Sequence, residues 1–170
     1  CVSTQAGCKM GCKFCMTGRQ GFHGHLSAAD IISQFIAVDE SDRLTNAVFM
    51  GMGEPLDNFD NVNRFLELVS DPEGLGIGYR HISLSTSGVV PGIYKLAELN
   101  LPITLSISLH APFDDIRSDM MKVNKRWNIE ELLKACRDYQ AVTGRRISFE
   151  YAMKKGKNDT DACATQLAKI

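Results

Sequence analysis

The chain has 170 residues, is 44% hydrophobic and carries a formal net charge of -1, which suits one ordinary globular core and excludes a global basic field. Any contact with nucleic acid must therefore come from a local patch. No apolar run reaches the roughly eighteen residues that span a bilayer, and no charged segment precedes a secretory-type apolar run. A cytoplasmic protein with no membrane association is expected.

The chain begins with Cys1 rather than Met, and its last residues, Ala168, Lys169 and Ile170, continue a helical pattern. It reads as an internal segment of a longer protein, incomplete at both termini. Residues 2–5 form a short strand candidate feeding a cysteine-rich loop, with glycines punctuating the chain as far as Gly24. Ser27 and Asp30 have the spacing of a capping box, opening a helix with Ile31, Ile32, Phe35 and Ile36 on one face. Residues 47–50 read as a buried strand that ends at the segment Gly51, Met52, Gly53, Glu54 and Pro55. A helix over residues 58–70 turns Val62, Phe65, Leu66 and Val69 inward.

Residues 81–87 form a third strand, and Pro91 suits the first turn of a helix reaching Leu99. Over residues 103–110, Ile103, Leu105, Ile107 and Leu109 alternate with Thr104, Ser106, Ser108 and His110, a period of two. A helix follows Asn128 with Ile129, Leu132, Leu133 and Cys136 on one face. Residues 147–153 make a fifth strand, and Thr160 caps a last helix. Alternating strands and helices predict βα units and a parallel sheet, in which function gathers at the carboxyl ends of the strands. The glycine and polar clusters after Gln5, Met50, Leu84 and Leu109 all fall there.

Four of the six cysteines lie in the first fifteen residues, three of them spaced C-x3-C-x2-C: Cys8, Cys12 and Cys15. Thiolates bind iron and zinc well, and a short loop can wrap several around one centre. A structural zinc site wants four protein ligands, and no second ligand pair follows downstream. Three thiolates instead suit three irons of a cubane cluster, leaving the fourth iron open to a substrate. Lys9, Lys13 and the surrounding glycines argue against a packed apolar role. Cys136, on an apolar helix face, reads as core, and Cys163 lies on a terminal helix expected to fray.

C-x3-C-x2-C with an aromatic, Phe14, just before the last Cys resembles the radical S-adenosylmethionine superfamily, and Glu54-Pro55 at a strand end strengthens the likeness. The stretches CVSTQAGCKMGCKFCMTGRQGF, FMGMGEPLDN, LSTSGVVP and SISLHAP are similar to the branch of ribosomal RNA adenine-C2 methyltransferases that also act on certain tRNAs. The resemblance covers essentially the whole chain. It implies an α/β fold, a partial (β/α) barrel forming the core domain over residues 1–170, with an N-terminal RNA-binding domain and a C-terminal segment outside it. It also implies a 4Fe–4S cluster on Cys8, Cys12 and Cys15, and S-adenosylmethionine held by Gly53, Glu54, Ser85, Ser108, Leu109 and His110. Met52 replaces the second of the family's paired glycines.

In that branch a cysteine beyond this chain is first methylated. A radical made from a second cofactor activates its methyl group, which then adds to C2 of adenine. Cys1 matches the thiol that resolves the resulting adduct by forming a disulfide. This route suits the chemistry, because C2 of adenine is not nucleophilic and polar methyl transfer cannot reach it. The implied partners are 23S rRNA, tRNA and an electron donor such as flavodoxin. The alternatives are the adenine-C8 methyltransferases of the antibiotic-resistance branch, a radical enzyme acting on peptides, and a non-enzymatic iron–sulfur or zinc module. On residues alone, His110 reads as structural, and the strand-end serines read as groups satisfying backbone.

Overall fold

The computed structural model describes residues 1–170. Four parallel strands stand side by side in the order of the chain: β3 (Ala47–Phe49), β4 (Ile82–Thr86), β5 (Thr104–Ser108) and β6 (Ile147–Glu150). The helices α3 (Phe59–Val69), α4 (Val90–Glu98) and α6 (Ile129–Thr143) connect them. Because the strand order never reverses, right-handed crossovers place all three helices on one face, which is the construction of a barrel wall rather than of a doubly wound sheet. The register pairs Ala47 with Ile82, Leu84 with Leu105 and Ile107 with Phe149.

The helices begin where their caps predict. Ser27 and Asp30 form the reciprocal capping box of α2 (Ala28–Ile36), and Asn128 and Glu131 form that of α6. The Thr160 side chain accepts from the Cys163 amide at the start of α7 (Asp161–Leu167). One hydrophobic core lies between helices and sheet, with Ile31, Phe65, Leu66, Ile82, Leu84, Ile93, Leu105, Ile107 and Leu132 fully buried. Each such side chain contributes about 1.5–3 kcal/mol of transfer free energy. Cys136 joins this core as expected. Cys163 is buried too, at 2% exposure, so the last helix is docked and does not fray at that residue.

Three local differences from the sequence reading follow from tertiary context. Residues 2–4 form no regular strand. They bond to the β3 end through Val2 N to Val48 O, Gly51 N to Val2 O and Thr4 N to Met52 O. The glycine-rich stretch read as loop instead holds a short helix, α1 (Met16–Gln20), and an antiparallel pair, β1 (Gln5–Gly7) with β2 (Phe22–His25). Residues 111–127, given no element by periodicity, contain α5 (Asp114–Met120) and a 3₁₀ turn at Lys122–Lys125. The alternation over residues 103–110 does not mean one dry and one wet face. Ser106 is 5% exposed between Leu105 and Ile107, because β5 is a central strand whose polar face looks into the barrel.

Candidate active site

Cys8, Met10, Cys12, Phe14, Cys15, Gly53, Glu54, Ser85, Ser108 and His110 line one cavity at the carboxyl ends of the strands, together with Thr86, Ser87, Met121 and Glu150. Its exposed rim is apolar, with Phe14 39% and Met50 52% exposed. Backbone bonds hold the cysteine loop on this cavity: Cys8 N donates to Gly21 O at 2.9 Å, Lys13 N to Met120 O at 2.9 Å and Cys15 N to Cys12 O at 3.1 Å. All three thiols are unpaired. Burial pushes the Cys12 thiol up to about 12, with the neighbouring cysteines adding to the shift, and burial also raises Cys8.

Glu54 sits 3% exposed at the floor. Its Oε1 accepts from Thr86 Oγ1 at 2.7 Å and Leu56 N at 3.1 Å, and its Oε2 from Ser87 N and Ser87 Oγ, both at 2.7 Å. Burial nevertheless raises its pKa above the usual carboxylate range, since four donors offset the lost hydration only in part. The glycines flanking Met52 answer a backbone need. A β-carbon at Gly51 would stand 2.5 Å from Val2 O, and one at Gly53, where φ is +103°, would stand 2.7 Å from Gln5 Cβ. The close approach of residues 2–5, rather than ligand access alone, explains the absence of side chains there.

Ser85 and Ser108 each donate a hydroxyl to Glu150 Oε2 at 3.1 Å, while Glu150 Oε1 is buried without a partner. Sequence reasoning missed Glu150, although its place at the end of β6 matches that of Ser108 at the end of β5. His110 adopts a left-handed backbone, φ +56°, uncommon for a residue with a β-carbon. Its conformation is held by Asn158 Nδ2 donating to His110 O at 2.6 Å and Ala152 N donating to His110 Nδ1 at 3.0 Å. Its ring meets the edge of Phe14 at 5.0 Å. His110 thus lines the same cavity as the three cysteines on a left-handed backbone fixed by residues from beyond β6.

Arg117, 0% exposed, also escaped the sequence reading. Its guanidinium donates to Leu109 O, Ser108 O, Ser87 O and Asn124 Oδ1, binding the ends of β4 and β5 together. Leu109 is buried with its side chain outside the cavity lining, and Cys1 is exposed and also outside it. The structure thus brings together all the site residues read from sequence except these two.

A C-x3-C-x2-C loop at the carboxyl ends of a singly wound parallel barrel wall, in one cavity with a buried Glu and strand-end hydroxyls, is the arrangement that the resemblance to the radical S-adenosylmethionine superfamily implied. The chain belongs to the Radical SAM superfamily, whose family model matches residues 2–166. It is 52% identical over its full length to the probable dual-specificity RNA methyltransferase RlmN of Clostridium novyi. It is 48% identical to the protein of the same name from Symbiobacterium thermophilum. It spans 50% and 47% of those two relatives. The crystal structure of a radical SAM methyltransferase from Sphaerobacter thermophilus superposes with a TM-score of 0.96 at 45% identity, over 99% of this chain and 51% of that one. Streptococcus suis SuiB, solved bound to S-adenosylmethionine, shares the fold at a TM-score of 0.69 and 14% identity.

The family uses a 4Fe–4S cluster and S-adenosylmethionine, and the donor set fits them. Three free thiols line one cavity. That number suits a cubane, in which each thiolate would bind its own iron, and is one short of the four protein ligands of a structural zinc site. No helix is long and apolar enough to cross a membrane.

Proposed function

We propose that residues 1–170 are the cofactor-binding core of a cytoplasmic RNA methyltransferase that places a methyl group on C2 of adenine in 23S rRNA and tRNA. The observation that carries this reading is the cavity itself, with Cys8, Cys12 and Cys15 lining it beside Glu54, in a chain that shares about half its residues with relatives named probable dual-specificity RNA methyltransferases. Cys8, Cys12 and Cys15 would hold the cluster. Gly53 and Glu54 would meet the amino-acid end of S-adenosylmethionine, and Ser85, Ser108 and His110 its nucleoside. The cluster, held by those three cysteines, would supply the one-electron chemistry needed to reach an unreactive carbon. The electron must come from an outside donor.

The chain's own residues prepare this step. Glu54 presents an acceptor whose orientation is locked by Thr86 and Ser87, so a cationic amine meets a fixed carboxylate without reorganisation. Phe14, Met10 and Met121 add apolar surface to the cavity lining and would shield a bound cofactor from water. Cys1, exposed and therefore accessible to an RNA-bound adduct, is assigned as the resolving thiol. None of the six cysteines here is assigned as the methyl acceptor.

The test is anaerobic reconstitution of the full-length protein with iron and sulfide, followed by reductant, S-adenosylmethionine and unmodified ribosomal RNA. Mass spectrometry of the nucleosides should show 2-methyladenosine, and Cys1→Ala should accumulate covalent protein–RNA complex. The 8-methyl isomer would overturn the regiochemistry, and normal turnover by Cys1→Ala would overturn its role.

A further inference from the structure

The cysteine loop is a wall with two different faces. Cys8 lines the cavity, whereas the next residue, Lys9, lines a separate groove; Met121 lines the cavity and Lys122 the groove; Met10 touches both. The groove therefore lies behind the loop, one residue's thickness from the place where the thiols gather. The apolar cavity rim of Phe14 and Met50 belongs to the other face.

The charge of this outer face is one-sided. Lys9, Lys122 and Arg126 line the groove with Trp127 and a single acid, Asp57. Asp57 Oδ2 is engaged by Lys9 at 3.2 Å and by Gln5 Nε2 at 2.8 Å. Lys122 lies over the loop, its Nζ 3.7 Å from where a β-carbon on Gly11 would stand. The Arg126 guanidinium rests 4.7 Å from the Trp127 ring centroid. Lys122, Lys125 and Arg126 are all exposed, and none has a carboxylate within 4.0 Å. By contrast, Lys13, elsewhere on the loop, is paired with Asp119. In a chain of net charge -1, unpaired cations behind the cysteine loop form a local field for an acidic partner.

We propose that this outer face, Lys9, Lys122 and Arg126 around Trp127, is the docking surface for an acidic one-electron carrier protein. The proposal rests on the reading that the cavity holds a reducible cluster. A partner seated here never enters the cavity, yet comes within a thin wall of it. That placement suits electron delivery better than delivery of a nucleotide, which must enter. In the transfer, a reduced flavoprotein or iron–sulfur protein loses one electron and the oxidised cluster gains it; no bond is made or broken and no proton moves. Electrostatic steering of such a pair raises the association rate and makes it fall with salt.

The experiment uses the full-length protein with its cluster assembled, reduced flavodoxin as the acidic probe, and dithionite as a small reductant needing no docking surface. Cluster reduction and S-adenosylmethionine cleavage are followed at low and high salt in wild type, Lys122→Glu/Arg126→Glu and the milder Lys122→Ala/Arg126→Ala. Binding of oxidised flavodoxin and of an RNA hairpin is measured on the same samples. Reduction by flavodoxin should slow about tenfold or more in the charge-reversed variant and lose its salt dependence. Flavodoxin binding should weaken in parallel, with dithionite-driven cleavage and RNA affinity unchanged. Equal rates with flavodoxin in all variants would overturn the proposal. So would weakened RNA binding with electron delivery intact, which would assign the face to RNA, or loss of the dithionite reaction in both variants, which would assign the residues to the cluster site. Failure of wild type with dithionite would instead sink the cluster reading on which the proposal stands.

Discussion

Arg117 and Glu54, both buried and opposite in charge, do not pair; they meet through Ser87. The Ser87 amide and hydroxyl donate to Glu54 Oε2, both at 2.7 Å, and the Ser87 carbonyl accepts from Arg117 Nη2 at 2.7 Å. One residue at the end of β4 is thereby fixed from both sides, and the serine-bearing strand ends are locked in place under the cavity.

Arg117 has only neutral acceptors, three carbonyls and an amide oxygen, and burial pushes its pKa down to about 10. Arg117→Met removes a donor from each of those buried acceptors, although Leu109 O keeps the Ala111 amide, and should cost about 1–3 kcal/mol for each acceptor left unsatisfied, read by chemical denaturation. Arg117→Lys keeps the charge but not the fork and should recover only part of that loss. Wild-type stability in Arg117→Met would show that the clamp is dispensable.

Glu54→Gln preserves shape but turns an amide donor toward Thr86 or Ser87, which already donate. A buried donor facing a donor should cost about 1–3 kcal/mol. Affinity of the reconstituted protein for S-adenosylmethionine, measured by calorimetry, should fall by about tenfold or more with loss of the charge-assisted contact. Unchanged affinity would remove Glu54 from the cofactor site.

Gly53→Ala adds a β-carbon 2.7 Å from Gln5 Cβ and 2.8 Å from Gln5 N on a backbone at φ +103°. Strain and overlap together should lower stability by about 2–4 kcal/mol. The damage should be local: hydrogen exchange should accelerate first at residues 2–5 and 51–54. A uniformly unchanged exchange pattern would contradict the close packing of these segments.

His110 holds the Ala152 amide through an unprotonated Nδ1. Burial lowers its pKa from 6.5, the Arg117 charge lowers it further, and Glu150 opposes both. A folded-state pKa below the unfolded one means that the contribution to stability is complete above about 6.5. It is lost as pH falls through the folded value, when the imidazolium can no longer accept that bond. Melting temperature should therefore decline on acidification below 6.5, with about 1–3 kcal/mol at stake. His110→Asn, which keeps an acceptor and tolerates the left-handed backbone, should flatten this part of the profile. An equally steep profile in that variant would place the acid sensitivity elsewhere.

The cysteine spacing, the glycine–glutamate turn and the strand-end serines were legible in the sequence because each is a local pattern: a few residues whose chemistry depends on spacing alone. Helices were legible for the same reason, through the Ser27 and Asp30 spacing, Pro91 in a first turn, and apolar residues at helical spacing after residues 58 and 128, whereas the cap that Glu131 completes on Asn128 emerged only in the structure. What only the tertiary structure decided were relations between distant segments. Residues 2–4 became an edge bonded to Met52, and the loop glycines were folded into a hairpin by pairing Gln5 with His25. Glu150 reached Ser85 across 65 residues of chain. Arg117, polar and without periodic neighbours, gave no sign of burial, because its stability there depends on carbonyls supplied by the ends of two other strands. The two faces of the cysteine loop were equally hidden: one residue step from Cys8 to Lys9 separates cavity from groove, and only packing against Met121 and Lys122 determines which side is which.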